Sequence, residues 1–73
     1  MFIIIELQTT NGQTANIVST RETKDEAMSA YHSILASAAV SNVEYHTAVV
    51  MDEQGRYLVR ECYEHTDGGS TNA

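Results

Sequence analysis

The 73 residues allow one domain with a small core, and a core of that size usually needs a staple or a partner to be stable. Ten acidic residues against four basic ones give a net charge of −6, which opposes direct contact with nucleic-acid phosphates or an anionic membrane. The single cysteine, Cys62, excludes an intrachain disulfide, and the absence of a CxxC pair removes the usual framework of a structural metal.

Residues Phe2 to Thr9 alternate as a strand, with Ile3, Ile5, Leu7 and Thr9 on one side and Phe2, Ile4, Glu6 and Gln8 on the other. Asn11-Gly12 follows, and Thr14 to Thr20 is again β-prone. Asn-Gly between two such runs predicts a hairpin, because both positions of a type I′ turn need positive φ. Thr23-Lys24-Asp25-Glu26 has the form of a capping box. A helix is predicted from there to Val40. Its apolar stripe holds Ala27, Tyr31, Ile34, Leu35 and Ala38, with Met28 beside it.

Val43 to Asp52 reads as a third strand and Arg56 to Tyr63 as a fourth, joined by a turn at Asp52-Glu53-Gln54-Gly55. The expected fold is α+β: β-β-α-β-β, a four-stranded, mainly antiparallel sheet of two hairpins with one helix packed on it. The expected domain spans 1–65. Residues 66–73, rich in Gly, Ser, Thr and Asn, are expected to form a disordered tail. The apolar start is shorter than the core of a signal peptide, and no stretch is long enough to cross a membrane, so a cytoplasmic location is expected.

Two patterns predict self-association. No charged residue lies between Glu26 and Glu44, so the back of the helix carries Ser29, Ala30, Ser33, Ala36, Ser37 and Val40 where Lys and Glu are usual. The strands are apolar on both sides. Phe2, Ile4 and Val18 are set against Ile3, Ile5, Leu7, Ala15 and Ile17; Ala48 and Val50 against Val49 and Met51; Leu58 and Cys62 against Tyr57, Val59 and Tyr63. A symmetric homo-oligomer, a dimer or higher, buries the second face.

No constellation dictates a reaction. Cys62 and His65 have a C-x-x-H spacing, but the second close ligand pair of a zinc site is missing. Cys62 reads as a small hydrophobe in a strand, with no orienting third group in view. Asp25/Glu26 is explained by capping and Asp52/Glu53 by a turn. No cofactor and no metal is expected, and the chain reads as non-enzymatic. Arg21 and Lys24 at the helix start, and Arg56 with Arg60 on one side of the fourth strand, are the candidates for anion contact. The candidate ligand-binding residues are Tyr31, His32, His46, Arg60 and His65, brought together at a subunit interface.

The stretches Tyr31 to Ser41, His46-Thr47-Ala48-Val49 and Glu61-Cys62-Tyr63-Glu64-His65 resemble a group of short proteins encoded in phages and mobile elements of gut-associated Gram-positive bacteria. The resemblance implies a phage or mobile-element setting in a host cell and carries no functional residues with it. The expected function is therefore a non-enzymatic oligomeric binding protein, acting in counter-defence by sequestering a small, nucleotide-like ligand or by blocking a host protein. The alternative is a structural or assembly component of a virion.

Overall fold

Asn11 and Gly12 take φ of 55° and 77°, the pair of positive angles that a two-residue hairpin needs. In this computed structural model, which describes residues 1–65, they join β1 (Phe2–Thr10) to β2 (Gln13–Arg21). The expected tail, 66–73, lies outside the described residues. Thr23 caps α1 (Lys24–Val40), its Oγ1 accepting from the Glu26 amide at 3.2 Å. β3 (Tyr45–Asp52) and β4 (Tyr57–Glu64) complete the chain. Gly55, at φ 86°, closes the turn between them by donating to the Asp52 carbonyl. Among the described residues no helix is long and apolar enough to cross a membrane.

The four strands are antiparallel, in the order β2-β1-β3-β4, with α1 packed on one side. The predicted α+β architecture is present. The strand order, which hydrophobic patterning leaves open, places β1 between β2 and β3. The helix therefore carries the chain over β1 to reach the next place in the sheet. It lies mainly over β1 and β3.

The covered side of the sheet takes Phe2, Ile4, Glu6 and Gln8 from β1 and His46, Ala48 and Val50 from β3. Ile4, Ala27, Tyr31, Ala48 and Val50 are buried there, with Phe2, Met28, Ala30, Ile34, Leu35 and Val59 packed around them. The predicted helical stripe is the one that faces the sheet. Ala30, placed by its spacing on the helix back, is half-buried against this core, while Ser29, Ser33, Ala36, Ser37 and Val40 are exposed.

Two side assignments are corrected. Ile5 pairs with Val18 and Glu6 with Ile17, so Val18 shares the side of Ile5, and Ile17 with Ala15 lies on the covered side. Residues directly opposite each other share a face, and the two-residue turn sets that register. In β4, Val59 pairs with Val50 while Tyr57 pairs with Met51, so Leu58 is an extra residue. The irregularity separates Tyr57 from Val59 and Tyr63: Tyr57, Arg60 and Cys62 lie on the uncovered side, Val59 and Tyr63 on the covered one. Arg56 is not in the strand at all. It closes the turn, its Nε 3.0 Å from Asp52 Oδ2, so it forms no anion site with Arg60.

The uncovered side carries Ile3, Ile5 and Leu7 of β1, Val18 of β2 and Val49 and Met51 of β3 across its middle. Arg60 and Glu64 are its only charged side chains among the described strand residues, by the pairing register.

Candidate functional site

The helix covers β1 and β3 and leaves β2 at the margin. Between α1 and β2 runs a groove of about 500 Å³. One wall is Ile17, Ser19 and Arg21, successive covered-side residues of β2. The other is Glu26, Ser29, Ala30, Ser33 and Ile34, one flank of the helix. The small residues of that flank, Ser29, Ala30 and Ser33, are the reason the space stays open. Larger side chains there would fill it against β2. Ile17 is 56 % exposed, so an apolar wall faces solvent.

Glu6 lines the groove on the β1 side. It is a carboxylate on the covered face of a central strand, a position where an isolated charge is costly. Its side chain is 17 % exposed. Two neighbours hold it, both on one oxygen: the Gln8 amide donates to Oε2 at 2.8 Å, and His46 Nε2 lies 2.6 Å from the same atom.

His46 is buried, at 3 % exposure, and its second nitrogen, Nδ1, is 3.1 Å from Ser41 Oγ. Ser41 is the residue that ends the helix, and its hydroxyl also lies 3.3 Å from the Ala38 carbonyl. With Nε2 bonded to a carboxylate, a neutral ring accepts from the Ser41 hydroxyl at Nδ1. A charged ring donates there instead, and the hydroxyl turns to the Ala38 carbonyl. One rotor satisfies both forms. His65 joins the same end of the helix, Nε2 donating to the Ala38 carbonyl at 2.8 Å, with its ring stacked on Tyr63.

Carboxylate, imidazole and hydroxyl stand here in the order of a nucleophile relay. The surroundings of the hydroxyl are wrong for that chemistry. Ser41 sits at the C-terminal end of α1, where carbonyl oxygens carry the negative end of the helix dipole. An oxyanion forming there would meet the Ala38 carbonyl, and the backbone N–H at the hydroxyl is that of Val43, 3.4 Å from Oγ. The chain Glu6–His46–Ser41 fastens the helix end to β1 and β3.

The residues picked out from the sequence are dispersed. Tyr31 is buried in the core, where burial, and after it the charge of Glu61, holds its phenol above the ordinary value. His32 is exposed next to it, its ring edge-on to Tyr31 at 5.3 Å. His46 and His65 each bond to the C-terminal end of the helix, through Ser41 Oγ and the Ala38 carbonyl. Arg60 stands on the other side of the sheet, so it does not share a pocket with these four within one chain. Cys62 is on that side too, away from His65, and among the described residues no group of three side chains could hold a metal.

Glu6, Ser41, Ile17 and Ser19 were not among the predicted ligand residues, and Arg21 was predicted only as an anion contact. Glu6 did carry a signal: a carboxylate in step with Phe2 and Ile4 on the face that turned out to be covered. Compared with known families, curated proteins and solved structures, the chain shows no significant match. The site therefore rests on its geometry alone.

Proposed function

We propose that this protein is a self-associating, non-enzymatic binding module in which two copies pack their uncovered sheet faces together and carry their helices outward. The observation that supports it is the uncovered face itself. Ile3, Ile5, Leu7, Val18, Val49 and Met51 form one continuous apolar surface, with Val18 57 % exposed. The chain as a whole is at −6, yet this face holds one Arg60 against one Glu64. Two strongly acidic molecules can meet on a neutral face without bringing their charges together. Two sheets packed face to face share an apolar layer about 10 Å thick.

Four strands about 4.8 Å apart and about eight residues long give a footprint of roughly 500 Å² before side-chain relief, which approaches the ~800 Å² per partner of a standard interface. Association also supplies what a short chain lacks when only six apolar residues are buried among those described. In the mobile-element setting that the resemblance implies, such a module sequesters a ligand or blocks a host protein.

Light scattering at micromolar concentration tests the reading, with twice the chain mass expected. Ile5→Lys should return the mass of one chain with the circular dichroism unchanged. This substitution moves the net charge of each chain towards zero and acts locally, by setting an ammonium into the apolar layer. A single-chain mass for the unaltered protein overturns the proposal.

A further inference from the structure

We infer that the groove between α1 and β2 binds a small primary amine with an apolar body. The inference rests on the binding reading above and names its ligand class, but it uses the opposite side of the sheet from the self-association surface.

The volume, about 500 Å³, falls within the roughly 300–1,000 Å³ of small-molecule sites. The lining sets the charge of the ligand. Glu6 and Glu26 face one guanidinium, that of Arg21, which donates to the Thr20 carbonyl at 2.8 Å. A nucleotide phosphate would meet an excess of carboxylate, whereas an ammonium group meets its complement.

The decisive group is Glu6. Both of its protein partners, Gln8 and His46, use Oε2, so Oε1 has no partner among the described residues. A largely buried carboxylate with one oxygen to spare is a strong acceptor for an ammonium. The pair with His46 and the central strand hold it in place before the ligand arrives, which lowers the ordering cost of binding.

The apolar body has its own contact. Ile17 on β2 and Ile34 on the helix line the groove, and Ile17 is more than half exposed in the single chain. The hydroxyls of Ser19, Ser29 and Ser33 line the remaining wall. Arg21 lies four residues along β2 from Ile17, about 13 Å at strand rise, so the one guanidinium stands with Glu26 at the end of the groove away from the apolar wall.

The probe is phenethylamine, titrated at pH 7 into the full chain and followed by amide chemical shifts. 2-Phenylethanol and phenylacetate are the neutral and anionic controls. Phenethylamine should produce saturating shifts at Ile17, Ser19 and Ser33, and the controls should not. Glu6→Gln should weaken the amine by about tenfold or more, the loss of one charge-assisted hydrogen bond. Ile17→Lys places an ammonium of the chain's own directly opposite Glu6 on the groove wall, where the ligand's ammonium would sit, and should abolish the shifts. It decides the matter if Glu6→Gln fails to fold.

Equal shifts from the three compounds, shifts away from the groove, or undiminished binding in Ile17→Lys would each overturn the inference. The same titration on Ile5→Lys separates the two readings. Amine binding by a single-chain protein keeps the groove whatever becomes of the self-association, and a dimer that ignores the amine does the reverse.

Discussion

Ile4 and Ile5 are neighbours in one strand with the same side chain. Ile4 is 1 % exposed beneath the helix, and Ile5 is only half-buried on the other side of the sheet. The difference lies in what each face has been given to pack against. On the covered face, apolar residues meet a helix of the same chain, and a carboxylate is accepted because Gln8 and His46 hold one of its oxygens. On the uncovered face, six apolar side chains shield one another and nothing from the described chain lies over them. Within one chain, the first face supports the fold. The second is available for association.

Ile4→Ala against Ile5→Ala is the sharpest test. Truncating a fully buried isoleucine costs about 2–5 kcal/mol, against a total on the order of 5 kcal/mol for a domain of this size. Ile4→Ala should leave little folded protein in a urea melt. Ile5→Ala should cost a single chain clearly less and act chiefly on association, so its melting temperature should lose its dependence on protein concentration. Equal losses in both would mean that the two faces do not differ in kind.

Glu6→Ala probes the polar part of the covered face. It leaves His46 Nε2 buried without its acceptor, at about 1–3 kcal/mol, a cost that denaturant unfolding reads directly. The companion Glu6→Gln, which keeps an acceptor oxygen, should recover part of that loss.

Thr23→Ala removes the hydroxyl that accepts from the Glu26 amide and should cost about 1 kcal/mol. The loss falls on the helix and so on the covered face. Light scattering should show association intact wherever the chain stays folded.

Tyr31 should give the smallest effect at neutral pH and a recognisable one in alkali. Its folded-state pKa is raised, first by burial and then by Glu61. The neutral phenol is thus favoured by folding, and that contribution is complete below the ordinary tyrosine value near pH 10 and disappears as pH rises through the higher folded value. Thermal melts between about pH 9 and 11 should fall more steeply for the parent than for Tyr31→Phe.

Much of this was legible along the chain because it depends on neighbours in sequence. Asn11-Gly12 had to turn, since positive φ at two successive residues admits few other pairs. Thr23 had to cap, since its hydroxyl reaches the third amide that follows. Ala27, Tyr31 and Ala38 had to share a helical face. The two-sided apolar character of β1 and β3 is equally plain in the chain, and it is the ground of the proposed self-association. The side of β2 was misassigned because a face is settled by register across the turn, which alternation within one strand does not contain.

The elements, their caps and turns, and the surplus of apolar residues are all readable along the chain. These follow from contacts between residues a few positions apart. It takes the folded sheet to show that β1 lies at the centre beside β3, that Leu58 shifts β4 by one residue, and that Glu6 meets His46 forty positions away. Those depend on which strands lie side by side and in what register, and long-range pairing leaves no periodic mark in the chain. The groove has the same origin. Small residues along one flank of a helix become the wall of a groove only when the helix lies over β1 and β3 and leaves β2 at its edge.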